Sequence, residues 1–433
     1  MRITRALFFV GVLALPASAQ TVWHVDASVA TGGSGASWAS AFTTLGAALA
    51  VAQRGDEIWV ADGTYFPPPS ASTDPRATAF YVPRDLKLYG GFAGGETSVA
   101  ARAGLFATTV LSGDLGVPGA TADNAHHVVR TWGTVTIDGF RIERGNAVGA
   151  PVPNGGAILC ETGQISSQPA LFEGSTLELR NCTLARNMAS RGGAIFAQLA
   201  GLSVVACDFE DNESLGNGGA FSAQTSSGRF DLCRFLRNRA VANGGALHFV
   251  SIDALPSGTP VMQFFGCLLQ ENFAQAQGGG AYLGGSAFSS GKALFGNCTF
   301  ALNTGSTGGG GLFANTSAAV PARAWLRNSI VSFNRGAVAQ DISGSIQAWD
   351  SIAPGISGPG VLAVNPRFEN VRLKDLRLRA DSPAVDVGNL AWLPQDALDV
   401  DGDGILAELL PLDLAGTTRV LGLGIDLGAF ERP

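Results

Sequence analysis

The sequence predicts an all-β solenoid in which short parallel strands stack coil upon coil, that is, a parallel β-helix. Three observations predict it: a repeated motif, strand-like alternation inside each copy, and a paired-glycine step after most copies. The motif places Cys, or once Ser, five residues before Asn, in six copies: Cys182 with Asn187, Cys207 with Asn212, Cys233 with Asn238, Cys267 with Asn272, Cys298 with Asn303, and Ser329 with Asn334. Successive Cys residues are 25, 26, 34 and 31 residues apart. Such a period is typical of stacked repeats, because one repeat cannot bury its apolar face alone.

Each copy has the pattern of a short strand rather than a helix. No run between the glycines is long enough for a helical period, whereas apolar residues alternate at 207–209, 233–235 and 298–300. A glycine step follows five copies: Gly192-Gly193-Ala194, Gly218-Gly219-Ala220, Gly244-Gly245-Ala246, Gly279-Gly280-Ala281 and Gly309-Gly310-Gly311. We expect these pairs at a crowded corner where other residues would need a strained φ.

The aligned positions predict what each column of side chains does. We interpret the Asn residues as a ladder in which each side chain bonds to the neighbouring coils, since Asn tolerates tight turns. The residue after each Cys is mixed in character and is expected to face solvent. Five cysteines in one column of an exported chain could form disulfides or remain free. We favour buried free thiols over disulfides, and a metal site is the least favoured of the three readings.

A second column follows the glycine step. Ile195, Phe221, Leu247, Tyr282 and Leu312 are expected to point inward, and the next position should face outward. That outward column contains Phe196, Ser222, His248, Leu283 and Phe313. Its apolar members Phe196, Leu283 and Phe313, with His248, form the predicted ligand-binding platform, on which sugar rings would stack. The alternative is that the loops at 250–262 and 284–292 fold over this column and bury it.

The net charge and the first residues of the sequence narrow the range of functions to be expected. A net charge of −7 and a pI near 5.2 give no large basic surface, so a nucleic-acid partner is not expected. Residues 1–19 have the pattern of an export signal, with Arg2 and Arg5, an apolar run, and Ala17-Ser18-Ala19 as the cleavage site. No later segment is apolar enough for a transmembrane helix. We therefore expect an exported, monomeric protein, at the cell surface, outer membrane or outside the cell.

The remaining chain divides into three predicted regions. Residues 20–65 hold an opening strand at 23–26 and a helix starting at Trp38 after the N-cap Ser37 and stopped by Gly55, which would cap the first coil. Residues 66–360 form the β-helix. Residues 361–433 form a C-terminal capping or anchor-type region.

Three sets of motifs resemble known families. The segment Gly55-Asp-Glu-Ile-Trp-Val60 followed by Gly63-Thr-Tyr65 resembles the entry of pectin-lyase-like right-handed β-helix proteins. The Phe-x-x-Asn motifs at 209–212, 235–238 and 300–303, each before a glycine step, are similar to the repeats of chlamydial polymorphic outer membrane proteins. Four tail motifs resemble the choice-of-anchor Q domain of bacterial surface proteins: Asn365-Pro-Arg-Phe368, Asp375-Leu-Arg-Leu378, Ser382-Pro-Ala-Val-Asp386 and Ile425-Asp-Leu-Gly-Ala-Phe-Glu431. These resemblances imply a right-handed β-helix of a surface protein and specify no activity.

A calcium loop is predicted in the tail. Asp399, Asp401 and Asp403 offer carboxylates at alternate positions, with Gly402 and Gly404 at the turn. An EF-hand would need Glu where Leu410 stands, so Glu408 or Asp413 would have to supply the further ligand. The alternative is a solvated acidic turn.

Catalytic candidates are sparse. His126 and His127, with Asp114 and Asp123, could form an acid/base cluster, although a structural His pair is favoured. The outward triplet column offers only Asp208 and Arg234 as charged residues, which we expect to pair, and a β-helix hydrolase needs clustered carboxylates. We therefore expect a non-enzymatic surface or secreted protein that binds polysaccharide or acts as an adhesin. The alternative is a polysaccharide lyase or glycoside hydrolase of pectin-lyase-like fold.

Overall fold

The computed structural model describes residues 20–83, 85–102, 108–161, 163–164, 172–173, 175–250, 262–285, 290–317, 319, 321–337, 341–421 and 424–433. The predicted export signal at 1–19 lies outside these residues. In the part that is described, no helix is both long and apolar enough to cross a bilayer.

The strands form four stacked parallel sheets, numbered here in the order in which one coil visits them. Sheet 1 contains Val22–Val25, Glu57–Ala61, Leu86–Phe92, Thr134–Asp138, Ser175–Arg180, Ala200–Val205, Ser227–Asp231, Met262–Phe265, Lys292–Gly296, Arg323–Arg327 and Ile346–Trp349. Sheet 2 contains Gly63–Tyr65, Thr109–Ser112, Arg141–Glu143, Thr183–Ala185, Asp208–Glu210, Arg234–Leu236, Leu268–Gln270, Thr299–Ala301 and Ile330–Ser332. Sheet 3 contains Met188–Ala189, Glu213–Ser214, Arg239–Ala240, Phe273–Ala274, Thr304–Gly305 and Arg335–Gly336. Sheet 4 contains Phe80–Val82, Val129–Trp132, Ile158–Glu161, Ile195–Gln198, Phe221–Gln224, Leu247–Val250, Ala281–Leu283, Leu312–Ala314 and Ile342–Gly344.

Strands of successive coils pair in parallel within all four sheets, which confirms the predicted all-β parallel β-helix. Connections between parallel strands of one sheet are right-handed in nearly all proteins, so the solenoid is a right-handed β-helix. The described residues also include two short antiparallel pairs, Gly163–Gln164 with Phe172–Glu173 and Phe368–Asn370 with Asp375–Leu378. Sheet 1 starts at Val22, inside the region that the sequence assigned to the cap.

The capping helix is shorter than the sequence predicts. The α-helix spans Leu45–Val51, and its N-cap is Thr44, whose side chain accepts a hydrogen bond from the Ala47 amide. The predicted helix start at Trp38, with Ser37 as the N-cap, is wrong, because Trp38–Ser40 is one 3-10 turn and Phe42 then pairs with the first strand. The remaining 3-10 turns of the described chain are Val99–Ala101, Val371–Leu373 and Leu390–Trp392.

In the interior, side chains of the same residue type stack on one another from coil to coil. Phe209 lies on Phe235 with ring centroids 4.7 Å apart, and Phe230 lies on Phe264 at 4.8 Å. All six cysteines are buried free thiols. Burial raises the pKa of the Cys207 thiol, so it remains protonated and behaves as a small apolar side chain.

The asparagines form one continuous hydrogen-bonded ladder along the coils. The side-chain amide of Asn187 donates to Oδ1 of Asn212 at 3.0 Å, and the same bond recurs between each following pair. The Oδ1 atom also accepts the backbone N–H of the Asn in the preceding coil. The last rung, Asn334, donates to Asp341 at 2.9 Å. Each buried amide therefore has its partners, as a buried polar column requires.

The two glycines of each step serve different purposes. The first has positive φ, as at Gly218 with 69° and Gly244 with 70°. The second has no room for a side chain, because a Cβ on Gly219 would lie 2.2 Å from the carbonyl oxygen of Gly245 in the next coil. The predicted corner is therefore fixed by both backbone conformation and close contact.

The tail folds back along the outside of the β-helix. Its residues Leu376, Leu378 and Leu427 form a buried cluster with Leu268 and Ile330 of sheet 2. A second cluster joins tail residues Leu393 and Leu410 to three residues at or beside sheet 1, which are Leu232, Phe265 and Leu294. The tail therefore covers parts of the outer faces of sheets 1 and 2.

This cover corrects the prediction that the residues after each Cys form a solvent face. Leu268 and Ile330 of that column are 5% and 1% exposed, because the tail lies over them. Asp208 and Arg234, farther toward the N-terminus, do face solvent. They pair as expected, with two contacts of 2.6 Å between the guanidinium and the carboxylate.

Candidate functional site

The predicted platform belongs to the outer column of sheet 4. Strand register aligns Tyr81, Arg130, Leu159, Phe196, Ser222, His248, Tyr282, Phe313 and Ser343 along this column. Phe196, His248 and Phe313 are therefore in the column, as the sequence predicts. Leu283 is not: it pairs with Phe249, is completely buried in the core, and the residue facing outward in that coil is Tyr282.

The error at Leu283 comes from a run of three glycines. The step there starts at Gly278, whose φ is 68°, and Gly280 takes the place of Ala246 in the preceding coil. The sequence assigned the step one residue later, to Gly279-Gly280-Ala281. Because side chains alternate along a strand, a shift by one residue moves the next side chain to the opposite face.

The middle of the column is an aromatic stack in which His248 and Tyr282 are buried and Phe313 is half-buried. His248 and Tyr282 lie with ring centroids 5.4 Å apart and planes 3° apart, and Tyr282 stacks on Phe313 with the same separation. Phe196 and His248 are only 4% and 6% exposed. Burial lowers the pKa of His248 to about 3, so the ring is neutral at physiological pH. These residues hold the wall together and do not present an open platform.

Among the described residues, the most exposed aromatic ring of this column is that of Tyr81, at its N-terminal end. This side chain is 45% exposed, and its hydroxyl accepts a hydrogen bond of 3.1 Å from Arg130 in the next coil. The guanidinium also lies over the ring, 5.1 Å from its centroid. The two residues form one wall of a cleft of about 210 Å³ that His126, His127, Pro151 and Val152 also line.

The two histidines of the cleft differ in their hydrogen bonds. Both ring nitrogens of His126 face oxygen acceptors: Nε2 lies 2.9 Å from Asp74, and Nδ1 lies 3.3 Å from the Asn146 carbonyl. His127 uses Nδ1 toward the Gly155 carbonyl at 2.9 Å, and among the described residues its Nε2 has no hydrogen-bond partner. Burial lowers the pKa of His127 to about 4. Its neutral ring therefore offers Nε2 as an acceptor.

The predicted acid/base cluster is not assembled as the sequence suggested. Asp123 accepts the backbone N–H of Val117, and Asp114 accepts that of Gly119. The carboxylate that binds His126 is instead Asp74, whose pKa this hydrogen bond lowers. No sequence signal identifies Asp74, because it lies 52 residues before His126 and only the stacking of coils brings them together.

The cleft is poorly suited to proton transfer. Both ring nitrogens of His126 already have hydrogen-bond partners, so neither is available to a substrate. His127, with a pKa of about 4, is a weak base at neutral pH. The described residues lining the cleft include no carboxylate, whereas glycoside hydrolysis needs a pair. The arrangement therefore supports binding better than turnover.

The acidic loop of the tail brings together more carboxylates than the sequence assigned to it. Asp396, Asp399 and Asp401 offer oxygens within 4.8 Å of one another, and so do Asp401, Asp403 and Glu408. Asp413 lies elsewhere and accepts backbone N–H groups of Thr417 and Glu431. Of the two further ligands considered, Glu408 is therefore in place and Asp413 is not. Asp396, which is completely buried, was missed because it lies before the motif.

The electrostatics of this loop resemble those of a cation site. Burial and the neighbouring Asp401 and Asp399 raise the pKa of Asp396. Burial and the same group of aspartates raise the pKa of Glu408, and its buried Oε1 has no hydrogen-bond partner among the described residues. Oxygen ligands at this density are what Ca²⁺ prefers. The calcium site stays a prediction, and these contacts define its members.

Comparisons with known proteins find likeness only to solved structures, at low sequence identity. No family model matches the chain, and no curated protein sequence matches it significantly. Pectate lyase Pel9A is 14% identical over 96% of this chain and 97% of its own, with a TM-score of 0.47. A rhamnogalacturonan lyase is 12% identical over 84% and 95%, with a TM-score of 0.45. The A-module of a mannuronan C-5 epimerase from Azotobacter vinelandii is 12% identical over 78% and 90%, with a TM-score of 0.40. Likeness at this level assigns no activity.

Proposed function

We propose that this protein is exported and binds polysaccharide without cleaving it, and that the cleft at Tyr81 is a binding site. The observation that carries the proposal is that one cleft combines an exposed tyrosine ring with His127 Nε2, an acceptor that has no hydrogen-bond partner among the described residues. Surface or extracellular placement belongs to the proposal, and it rests on the export signal that the sequence predicts at residues 1–19.

The chemistry of the cleft suits a sugar ring. A saccharide has hydroxyl groups that donate hydrogen bonds and C–H faces that pack on aromatic rings. His127 Nε2 accepts from a hydroxyl, Arg130 lies at the rim as a donor, and Val152 and Pro151 supply apolar surface. The volume is below the roughly 300–1,000 Å³ of sites for drug-sized ligands, so it fits a short stretch of a polymer rather than a large cofactor.

The experiment is a carbohydrate-array profile of the purified protein and of Tyr81→Ala. We expect retention of at least one glycan, with affinity reduced about tenfold by Tyr81→Ala, which corresponds to about 1.4 kcal/mol. Because Tyr81 is 45% exposed, this variant should unfold at the same temperature as the parent.

The matched control is Phe66→Ala, which removes a ring that is 50% exposed and does not line the cleft. It should leave the profile unchanged. The proposal is overturned if no glycan is retained, or if both variants bind as the parent does. Shortening of a glycan by the purified protein would instead favour a lyase or hydrolase.

A further inference from the structure

A second groove, of about 440 Å³, lies where the tail meets the β-helix. One side is sheet 3 around Phe273 and Arg335 together with the turns that join sheet 2 to sheet 3, and the other is the 3-10 turn Val371–Leu373 with Lys374. The groove exists only because the tail folds back along the rod. It is separate from the cleft at Tyr81, with which it shares no lining residue.

The groove carries positive charge that the protein does not neutralise. Lys374 pairs with Glu271 at 2.8 Å. Arg335 and Arg372 also line the groove, both are exposed, and neither has an ion-pair partner among the described residues. Three cations and one anion therefore meet in a chain whose net charge is −7. Such a local reversal of sign selects anionic groups at short range.

Aromatic rings lie beside these cations. Phe333 is 38% exposed and sits at the turn between sheets 2 and 3, with its ring centroid 6.0 Å from that of Phe368 in the tail. Phe273, the other ring of the groove, is half-buried, and the guanidinium of Arg239 lies 4.9 Å from its centroid. The φ of 63° at Phe333 belongs to the turn that precedes each ladder Asn, so it is the exposed part of the ring that makes it available for contact.

We propose that this groove binds a saccharide polymer that carries carboxylate groups, with Arg335 and Arg372 each forming a forked contact to a carboxylate and Phe333 packing against a sugar ring. An arginine fork matches the geometry of a carboxylate, and a bidentate contact adds specificity. An acidic peptide would satisfy the arginines but has no ring face for Phe333, so the glycan is favoured. The inference deepens the proposed function by naming a ligand class, but it does not depend on the cleft.

The test measures binding of three soluble probes: polygalacturonate, neutral dextran and polyglutamate. The variant is Arg335→Gln with Arg372→Gln, and the matched control is Arg367→Gln with Arg379→Gln. The control arginines are exposed in the tail, pair with Asp381, and do not line the groove. We expect the groove variant to bind polygalacturonate at least tenfold more weakly, and the control to match the parent. Replacing both groove arginines by Lys should give an intermediate loss, because Lys keeps the charge and lacks the fork.

The outcomes separate this site from the cleft. The groove proposal is overturned if the groove variant binds polygalacturonate as tightly as the parent, or if the parent does not bind it. Polyglutamate bound as tightly as polygalacturonate overturns the glycan assignment in favour of an acidic peptide. If Tyr81→Ala abolishes binding of array glycans but not of polygalacturonate, the groove acts alone. If the groove variant binds polygalacturonate as the parent does while Tyr81→Ala loses the array glycans, the proposed function stands without the groove.

Discussion

At the residue scale, the asparagine ladder shows how a sequence pattern becomes a structural restraint. The sequence correctly predicts that each Asn bonds to neighbouring coils, but the Asn itself does not take the left-handed turn conformation. The preceding residue does, as at Arg237 with a φ of 54° and Glu271 with 56°. The Asn side chain is thereby left free to serve two coils at once.

Because of the ladder, replacing a central asparagine should strongly lower the free energy of unfolding. Replacing Asn238 by Ala removes the acceptor of the Asn212 backbone N–H and of one of its two side-chain N–H groups, as well as the donor to the Phe209 carbonyl. We expect a loss of about 3 kcal/mol or more in the free energy of unfolding, since each buried unsatisfied group costs about 1–3 kcal/mol. Urea denaturation measures this loss.

Asn243→Ala is the control, because its side chain is only partly buried and makes weaker bonds. It should cost less than about 1 kcal/mol. Equal costs for the two variants would mean that the ladder adds no stability beyond ordinary surface contacts.

The calcium prediction is also decided by single residues. Asp401 belongs to both groups of three carboxylates, so its loss affects both. We expect millimolar calcium to raise the thermal midpoint of the parent by about 2 °C or more relative to chelator. Asp401→Asn should lose most of this gain, whereas Asp381→Asn, outside both groups, should keep it. A parent midpoint that is the same in calcium and chelator would contradict the site.

At the element scale, a buried cluster of ionisable residues holds the last part of the tail together. Glu431 accepts the backbone N–H of Asp426 and lies 3.9 Å from Arg419, which is completely buried. Burial outweighs the attraction of Arg419 and raises the pKa of Glu431 to about 8. The folded chain therefore holds this proton at a pH where the unfolded chain has released it.

A pH dependence with a definite sign follows. Between the ordinary glutamate pKa and about 8, the unfolded chain ionises Glu431 while the folded chain does not, so this residue destabilises the fold increasingly as pH rises. Glu431→Gln cannot ionise. We expect its thermal midpoint, relative to that of the parent, to increase from pH 5 to pH 8.

Other groups titrate in the same range, so the comparison is the difference between variant and parent at each pH. Glu369→Gln, on an exposed stretch of the tail, is the control and should give a difference that does not change with pH. A flat difference for Glu431→Gln as well would show that Glu431 is ionised in the folded chain.

The same scale shows what local sequence can and cannot predict. The Cys-to-Asn motif predicts the coils because each copy obeys the same alternation. The capping helix was predicted too long because helical spacing from Trp38 to Ala52 does not reveal that Phe42 pairs with the first strand. In the coil with the glycine run Gly278–Gly280, the sequence predicts Leu283 as the outward residue, whereas Tyr282 faces outward. Three successive glycines give no side-chain signal that fixes the register.

At the scale of the whole molecule, the route of the tail is what the sequence could not predict. Tail residues cover Leu268 and Ile330 on sheet 2 and Phe265 on sheet 1, and they form one side of the cationic groove. These contacts join residues far apart in the chain, without a repeat to align them. The Asp74–His126 contact in the cleft escaped prediction for the same reason. Sequence periodicity therefore predicts the rod, whereas the sites depend on irregular segments laid against it.

The proposed function requires that the β-helix retain polysaccharide without cleaving it. The most direct measurement incubates the purified protein with a panel of acidic and neutral polysaccharides, with calcium and with chelator, and records both the amount retained and the length of the polymer. We expect retention of at least one polymer whose length distribution is unchanged. Depolymerisation that copurifies with the protein, or no retention of any polymer, would contradict it.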